Sequence, residues 1–184
     1  MQYWSNQPRK LPKSHSVRPR ARWLLPPMDW YKANFDAAVF QDDGRASIGV
    51  IIRDSQGLVM VSLSQNIQLS NLVVEVEAMA ANRAIELSLE LGFDKIIFEG
   101  DSEIVIKVLT DYSPSLASFG LLIRDAQVLT DRFNWVWFQH VGRDGNNVAH
   151  NLTRHACHVM GFSVWMEDVP VHCFVVYQAD MPLS

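Results

Sequence analysis

Cysteine is nearly missing: Cys157 and Cys173 are the only two thiols in 184 residues. Two cysteines build neither a disulfide framework nor a zinc-finger spacing. The expectation is therefore a reducing, intracellular compartment, cytoplasmic or nuclear, with both side chains plainly buried. Also missing is any apolar run close to the ~20 residues that cross a bilayer, and the N-terminus has no apolar signal core. The chain reads as soluble, with no membrane partner. Acidic residues are absent from the first 23 positions, which hold Arg9, Lys10, Lys13, Arg18, Arg20 and Arg22. The remainder carries ten basic against all twenty acidic residues, near −10, although the whole chain is only −4. There is no internal repeat.

What is present is enough apolar material, 48% of residues, for one domain with a sizeable core. The first 29 residues, basic and rich in Pro and Ser, read as a disordered arm suited to phosphate backbones, with Arg18, Arg20 and Arg22 as candidate nucleic-acid contacts. A solvated linker or an organelle-targeting segment are the alternatives, although three prolines within the first 23 residues spoil the amphipathic helix that targeting would use.

Beyond the arm, "NFDAAV" at Asn34 to Val39 reads as a strand. Two further β-rich runs, about 46 to 53 and 57 to 64, are joined by Asp54-Ser55-Gln56-Gly57, a strong turn signal. Helical periodicity takes over from Asn71 through Val74, Ala78, Ala81, Ile85 and Leu89, with Gly92 placed to end it. "DKIIFEG" is a short strand, Ser102 to Leu109 a helix, "SFGLLIRDAQVLTD" a helix, "FNWVWFQHV" a strand and "GNNVAHNLTRHACHV" a helix. The order β-β-β-α-β-α-α-β-α predicts an α/β fold with a mixed five-stranded sheet, its first three strands antiparallel and the rest parallel, flanked by helices. Trp135, Trp137 and Phe138 read as core strand rather than a base-stacking surface. The terminal "VVYQADMPLS" reads as a candidate docking strand.

Three carboxylates draw attention. Asp36 interrupts an apolar strand, where Asp has poor propensity. Asp101 stands at the carboxyl end of the fourth strand, where open α/β sheets place their sites, or else caps the next helix. Glu77 lies near the start of the long helix, among Glu75, Glu86 and Glu90. If the first and fourth strands are neighbours, three hard oxygen ligands converge, a set suited to Mg²⁺, with Mn²⁺ as the alternative. Two such ions ~3.5–4 Å apart clamp the attacking and leaving oxygens of a phosphodiester.

"NFDAAV", "GVIIRDSQGLVM", "VEAMAANRAIELSLELGF", "IIFEGDSEIVIKVL" and "FQHVGRDGNNVAHNLTRHA", in that order, resemble the type 1 ribonuclease H fold, and most closely the plant reverse-transcriptase-like ribonuclease H domains related to retroelements. The resemblance covers about residues 30 to 160, leaving 161 to 184 as a C-terminal extension. It implies a nuclease that cuts the RNA strand of an RNA/DNA hybrid using four carboxylates and two Mg²⁺ ions. Asp36, Glu77 and Asp101 match three of these, with Glu75 as a fallback for the second. His140 matches a loop histidine that moves protons. At the fourth position stands His150 where an aspartate is usual; imidazole can ligate a metal but brings no negative charge. Asp144, six residues earlier, is an alternative whose simpler role is in the turn. Ser70 and Asn71, at the start of the long helix, are candidate nucleic-acid donors or simply a helix cap. No basic helix-loop insertion of the kind some bacterial members use to hold substrate is present. The resemblance leaves a catalytically weak nucleic-acid-binding module and a protein-interaction module as alternatives to the nuclease.

Overall fold

The alternation of side chains along Tyr31–Phe40 (β1) sends Ala33, Phe35 and Ala37 into one core and Lys32, Asn34 and Asp36 to the other face. The computed structural model describes residues 22–68, 72–112 and 118–182. Arg45–Arg53 (β2) and Val59–Gln68 (β3) continue from β1 as an antiparallel meander. The turn between them forms where the sequence places it. Gly57 takes φ 83°, and the Asp54 carboxylate accepts from the backbone N–H groups of Gln56 and Leu58.

Val73–Glu90 (α1) follows and ends where Gly92 adopts φ 78°. Its buried face is built from Ala78, Ala80, Ala81 and Ala84 beside Val76 and Ile85, small enough to let the helix lie close against β1 and β2. Lys95–Gly100 (β4) pairs parallel to β1, and Trp135–His140 (β5) pairs parallel to β4. Glu103–Asp111 (α2) and Gly120–Thr130 (α3) lie between these two strands in the chain and share the large core with α1. Asn147–His155 (α4) packs on the opposite face, over β1 and β2.

The expected five strands are corrected to six. Phe162–Met166 (β6) pairs antiparallel with β3, and the sheet order is β5-β4-β1-β2-β3-β6. Five residues of half-exposed edge strand carry too short an alternation to be read from sequence. The expected C-terminal docking strand is also corrected: Phe174–Asp180 forms a helix (α5) that covers Arg53. Residues 162–182 are thus built into the same sheet and a second, smaller core of Ile51, Val148, Leu152, Val169 and Cys173. Cys173 is buried as expected, but Cys157 is exposed. Trp135 is exposed at the edge of β5 rather than in the core, while Phe138 stacks on Phe98 at 5.6 Å. No helix among the described residues is long and apolar enough to cross a membrane.

The seat of α4 is set by one residue without a side chain. A Cβ at Gly49, the residue paired with Asp36 across the sheet, would lie 2.3 Å from the Ala149 carbonyl oxygen and 2.5 Å from the Thr153 nitrogen. The hydroxyls of Ser47 and Ser64 donate to the carbonyls of Thr153 and Leu152, satisfying acceptors that the end of a helix leaves open. Gly49→Ala should therefore lift α4, destabilising the fold by about 1–3 kcal/mol or more. Chemical denaturation reads the loss, and an unchanged midpoint would mean that α4 sits further from the sheet in solution.

Candidate functional site

Because β1 and β4 are adjacent and parallel, with Phe35 opposite Gly100, Asp36 and Asp101 emerge side by side. Glu77, one turn into α1, reaches the same point. One carboxylate oxygen from each of Asp36, Glu77 and Asp101 lies within 4.8 Å of the others. Asp36 is fully buried, Glu77 and Asp101 half-buried. The helix carboxylate of this cluster comes from Glu77, not Glu75. Asp101 does not cap α2; that position belongs to Ser102.

Three carboxylates so close repel one another. Burial, with the Asp101 charge second, raises the pKa of Asp36, opposed by a hydrogen bond from His150. Burial and the charges of Asp36 and Asp101 push Glu77 up to about 9, with Arg143 opposing. Asp36 Oδ1 and Glu77 Oε2 are buried without a hydrogen-bond partner. Buried carboxylate oxygens are rarely left this way, and hard, unpartnered oxygens from three chain segments are what a small divalent cation takes. The residues present fit such an ion.

The fourth position is occupied differently. His150 Nδ1 lies 3.0 Å from Asp36 Oδ2, so its N–H donates to the carboxylate, and the imidazole stands outside the three-carboxylate cluster. His140 is exposed at the end of β5, with Nε2 3.2 Å from the Asp101 carbonyl. Asp144 sits exposed in the 3-10 turn Arg143–Gly145, away from the cluster. Of the candidate nucleic-acid contacts, Arg22 is exposed, whereas Arg18, Arg20, Ser70 and Asn71 lie outside the described residues.

Two contributors were not singled out in the sequence. Arg143, mostly exposed, brings its guanidinium to 3.4 Å from Asp101 Oδ2 and adds the positive charge felt by Asp36 and Glu77. Asn146, buried at the start of α4, donates to the Phe35 carbonyl and accepts from Asn34. Asn34 also donates to Glu99, which pairs with buried Lys32, and accepts from Trp23 and Arg53. This polar layer ties β1 to the helix that carries His150. The signal for Asn34 was available, because a residue two before Asp36 on a strand shares its face.

A family profile described as reverse transcriptase-like matches residues 34–156. A candidate ribonuclease H protein of Arabidopsis thaliana is 25% identical over 134 residues, which is 73% of this chain but only 22% of that protein. The chain therefore spans less than a quarter of that relative. The ribonuclease H1 of the halophilic archaeon Halobacterium salinarum is 26% identical, with a TM-score of 0.65 over 70% of this chain and 98% of that one. LC11-RNase H1, solved in complex with an RNA/DNA hybrid, shares the fold at 21% identity and a TM-score of 0.61, covering 68% of this chain and 95% of its own. The chain belongs to the reverse transcriptase-like family, and its domain is ribonuclease H-like.

Proposed function

We propose that the domain binds an RNA/DNA hybrid and hydrolyses the phosphodiester backbone of its RNA strand with the help of Mg²⁺, or alternatively Mn²⁺. The observation that carries this is the meeting of Asp36, Glu77 and Asp101, with two buried unpartnered oxygens, in a ribonuclease H-like sheet. When bound there, the ion supplies a Lewis acid that neutralises phosphate charge and makes a water acidic.

The chain's own residues do the rest. Asp36, Glu77 and Asp101 would hold the ion, which would offset their mutual repulsion. His150 keeps Asp36 Oδ2 engaged and so orients Oδ1, in the way a hydrogen bond behind a ligand fixes its direction. With His150 on Asp36 and Arg143 on Asp101, fewer acceptor oxygens and less negative charge remain than four carboxylates would offer. The site would therefore hold a first ion more tightly than a second. His140, exposed at the rim, exchanges a proton with an attacking water or a leaving oxygen once its ring turns from the Asp101 carbonyl to the substrate. Arg143, exposed beside it, is placed to meet a phosphate.

The same two contacts favour a second reading, a hybrid-binding module with little turnover. Cleavage of a labelled RNA/DNA hybrid, with Mg²⁺ and separately with Mn²⁺, tests both. Asp36→Asn and Asp101→Asn should each lower cleavage by more than about 100-fold, since even residues behind a metal ligand account for 10–100-fold. His150→Asp, which restores the acid, should lower the Mg²⁺ concentration needed. Retention of the hybrid without cleavage, whichever ion is supplied, would replace the nuclease reading by the binding module.

A further inference from the structure

Among the described residues the proposed hydrolysis leaves His155, His158 and His172 unused, and the fold gathers them at the C-terminal end of α4. His155 closes that helix, His158 ends the 3-10 turn Ala156–His158, and His172 lies in the 3-10 turn Val171–Cys173 ahead of α5. His172 Nε2 and His155 Nδ1 point directly at each other across the gap between the two segments. The rings of His155 and His172 have their centres 4.2 Å apart, and those of His155 and His158 are separated by 6.0 Å. Trp165 of β6 backs the His155 ring at 5.5 Å.

We propose that His155 and His172, with His158 as third ligand, bind a divalent transition-metal ion such as Zn²⁺. A metal–nitrogen bond of about 2.1 Å puts two imidazoles on one tetrahedral ion with their ring centres roughly 5 Å apart. The two observed separations lie on either side of that value, and the three rings do not yet aim at one point, so the outer two would turn to take the ion. His158 and His172 are exposed, so their rings can turn to the ion, while His155 is held in place between Trp165 and the end of α4. An all-imidazole set prefers borderline ions to Mg²⁺. Metal binding needs the neutral ring, the form that prevails for an ordinary histidine above about pH 6.5. A plain hydrogen bond between two imidazoles would account for His155 and His172 but would leave His158 without a part.

The ion would join the end of α4 to the turn ahead of α5, two segments 17 residues apart in the chain. It would therefore act as a clasp on the C-terminal segment and not as a reactant. The site is separate from the carboxylate cluster and does not depend on the hydrolytic reading.

The test is Zn²⁺ titration of the full chain in excess Mg²⁺, which masks the carboxylates, followed by calorimetry and by thermal unfolding. One equivalent of Zn²⁺ should bind and raise the midpoint, and His172→Ala and His158→Ala should each weaken binding at least tenfold. Both residues are exposed, so these variants fold. Asp101→Asn should bind Zn²⁺ as the wild type does. Unchanged affinity in His172→Ala, loss of binding in Asp101→Asn alone, or no bound Zn²⁺ at all would each overturn the proposal.

Discussion

Glu77→Gln should stabilise the metal-free protein at pH 8 and at the same time abolish the stabilisation that Mg²⁺ confers on the wild type. Glu77 Oε2 is buried with no partner, and its folded pKa is pushed up to about 9 by burial and by Asp36 and Asp101. A carboxyl whose folded pKa lies above its unfolded value keeps its full stability contribution below the unfolded pKa, near 4.5, and loses it as pH rises through about 9. Each pH unit in that window costs up to about 1.4 kcal/mol. With allowance for the partial exposure of the side chain, a few kcal/mol are lost by pH 8. Glutamine has the same shape and no charge to desolvate, so that loss disappears in the variant. The two proteins should converge below pH 4. Added Mg²⁺ should raise the wild-type midpoint, because an ion bound to the folded state alone stabilises it by mass action. Thermal melts from pH 4 to 9, with EDTA and with Mg²⁺, read both effects. Parallel pH profiles for the two proteins would mean that Glu77 is solvated and takes no part in the cluster.

Asp180→Ala should cost about 3–5 kcal/mol, the usual result of leaving a buried charge without its partner. Arg53 is 1% exposed and its guanidinium lies 2.9 Å from Asp180 on α5, 3.2 Å from Asn34 Oδ1 and 3.5 Å from the centre of the Trp23 ring. Burial moves both pKa values away from the charged forms, Arg53 down and Asp180 up, and each partner only opposes that shift. Desolvation thus outweighs attraction, so the pair is costly to form and more costly to break. Asp180→Asn, which keeps an acceptor oxygen near the guanidinium, should lose less. Urea denaturation, with midpoint and slope both fitted, distinguishes the two variants. A loss under about 1 kcal/mol for Asp180→Ala would mean that α5 does not cover Arg53 in solution. The pair also bears on function, since Arg53 bonds Asn34, Asn34 bonds Asn146, and Asn146 starts the helix that brings His150 to Asp36.

The elements with strong local signals were legible in the chain itself. β1 to β3 follow from alternation and the Asp54 to Gly57 turn, α1 from its apolar stripe and Gly92, and α4 from its own periodicity. Asp36 was conspicuous for a local reason as well, because a carboxylate inside an apolar strand has to be accounted for by something outside the strand. Glu77 and Asp101 were placed by order of motifs, since neither a helix glutamate nor an aspartate before a helix is unusual alone.

Tertiary structure decided what depends on distance across the sheet. Which oxygens are orphaned, that His150 hydrogen-bonds Asp36, and that Arg143 joins Asp101 all follow from the packing of α4 and its preceding turn over β1. The sixth strand pairs residues about 100 positions apart, and Arg53 meets Asp180 across 127 positions of chain. His172 likewise meets His155 only because α5 and the turn before it fold back on α4. Propensity and periodicity act over one or two turns of chain, so the sequence by itself determined the elements and their chemistry. The contacts that close the site are set by packing, which brings together residues that no local pattern connects.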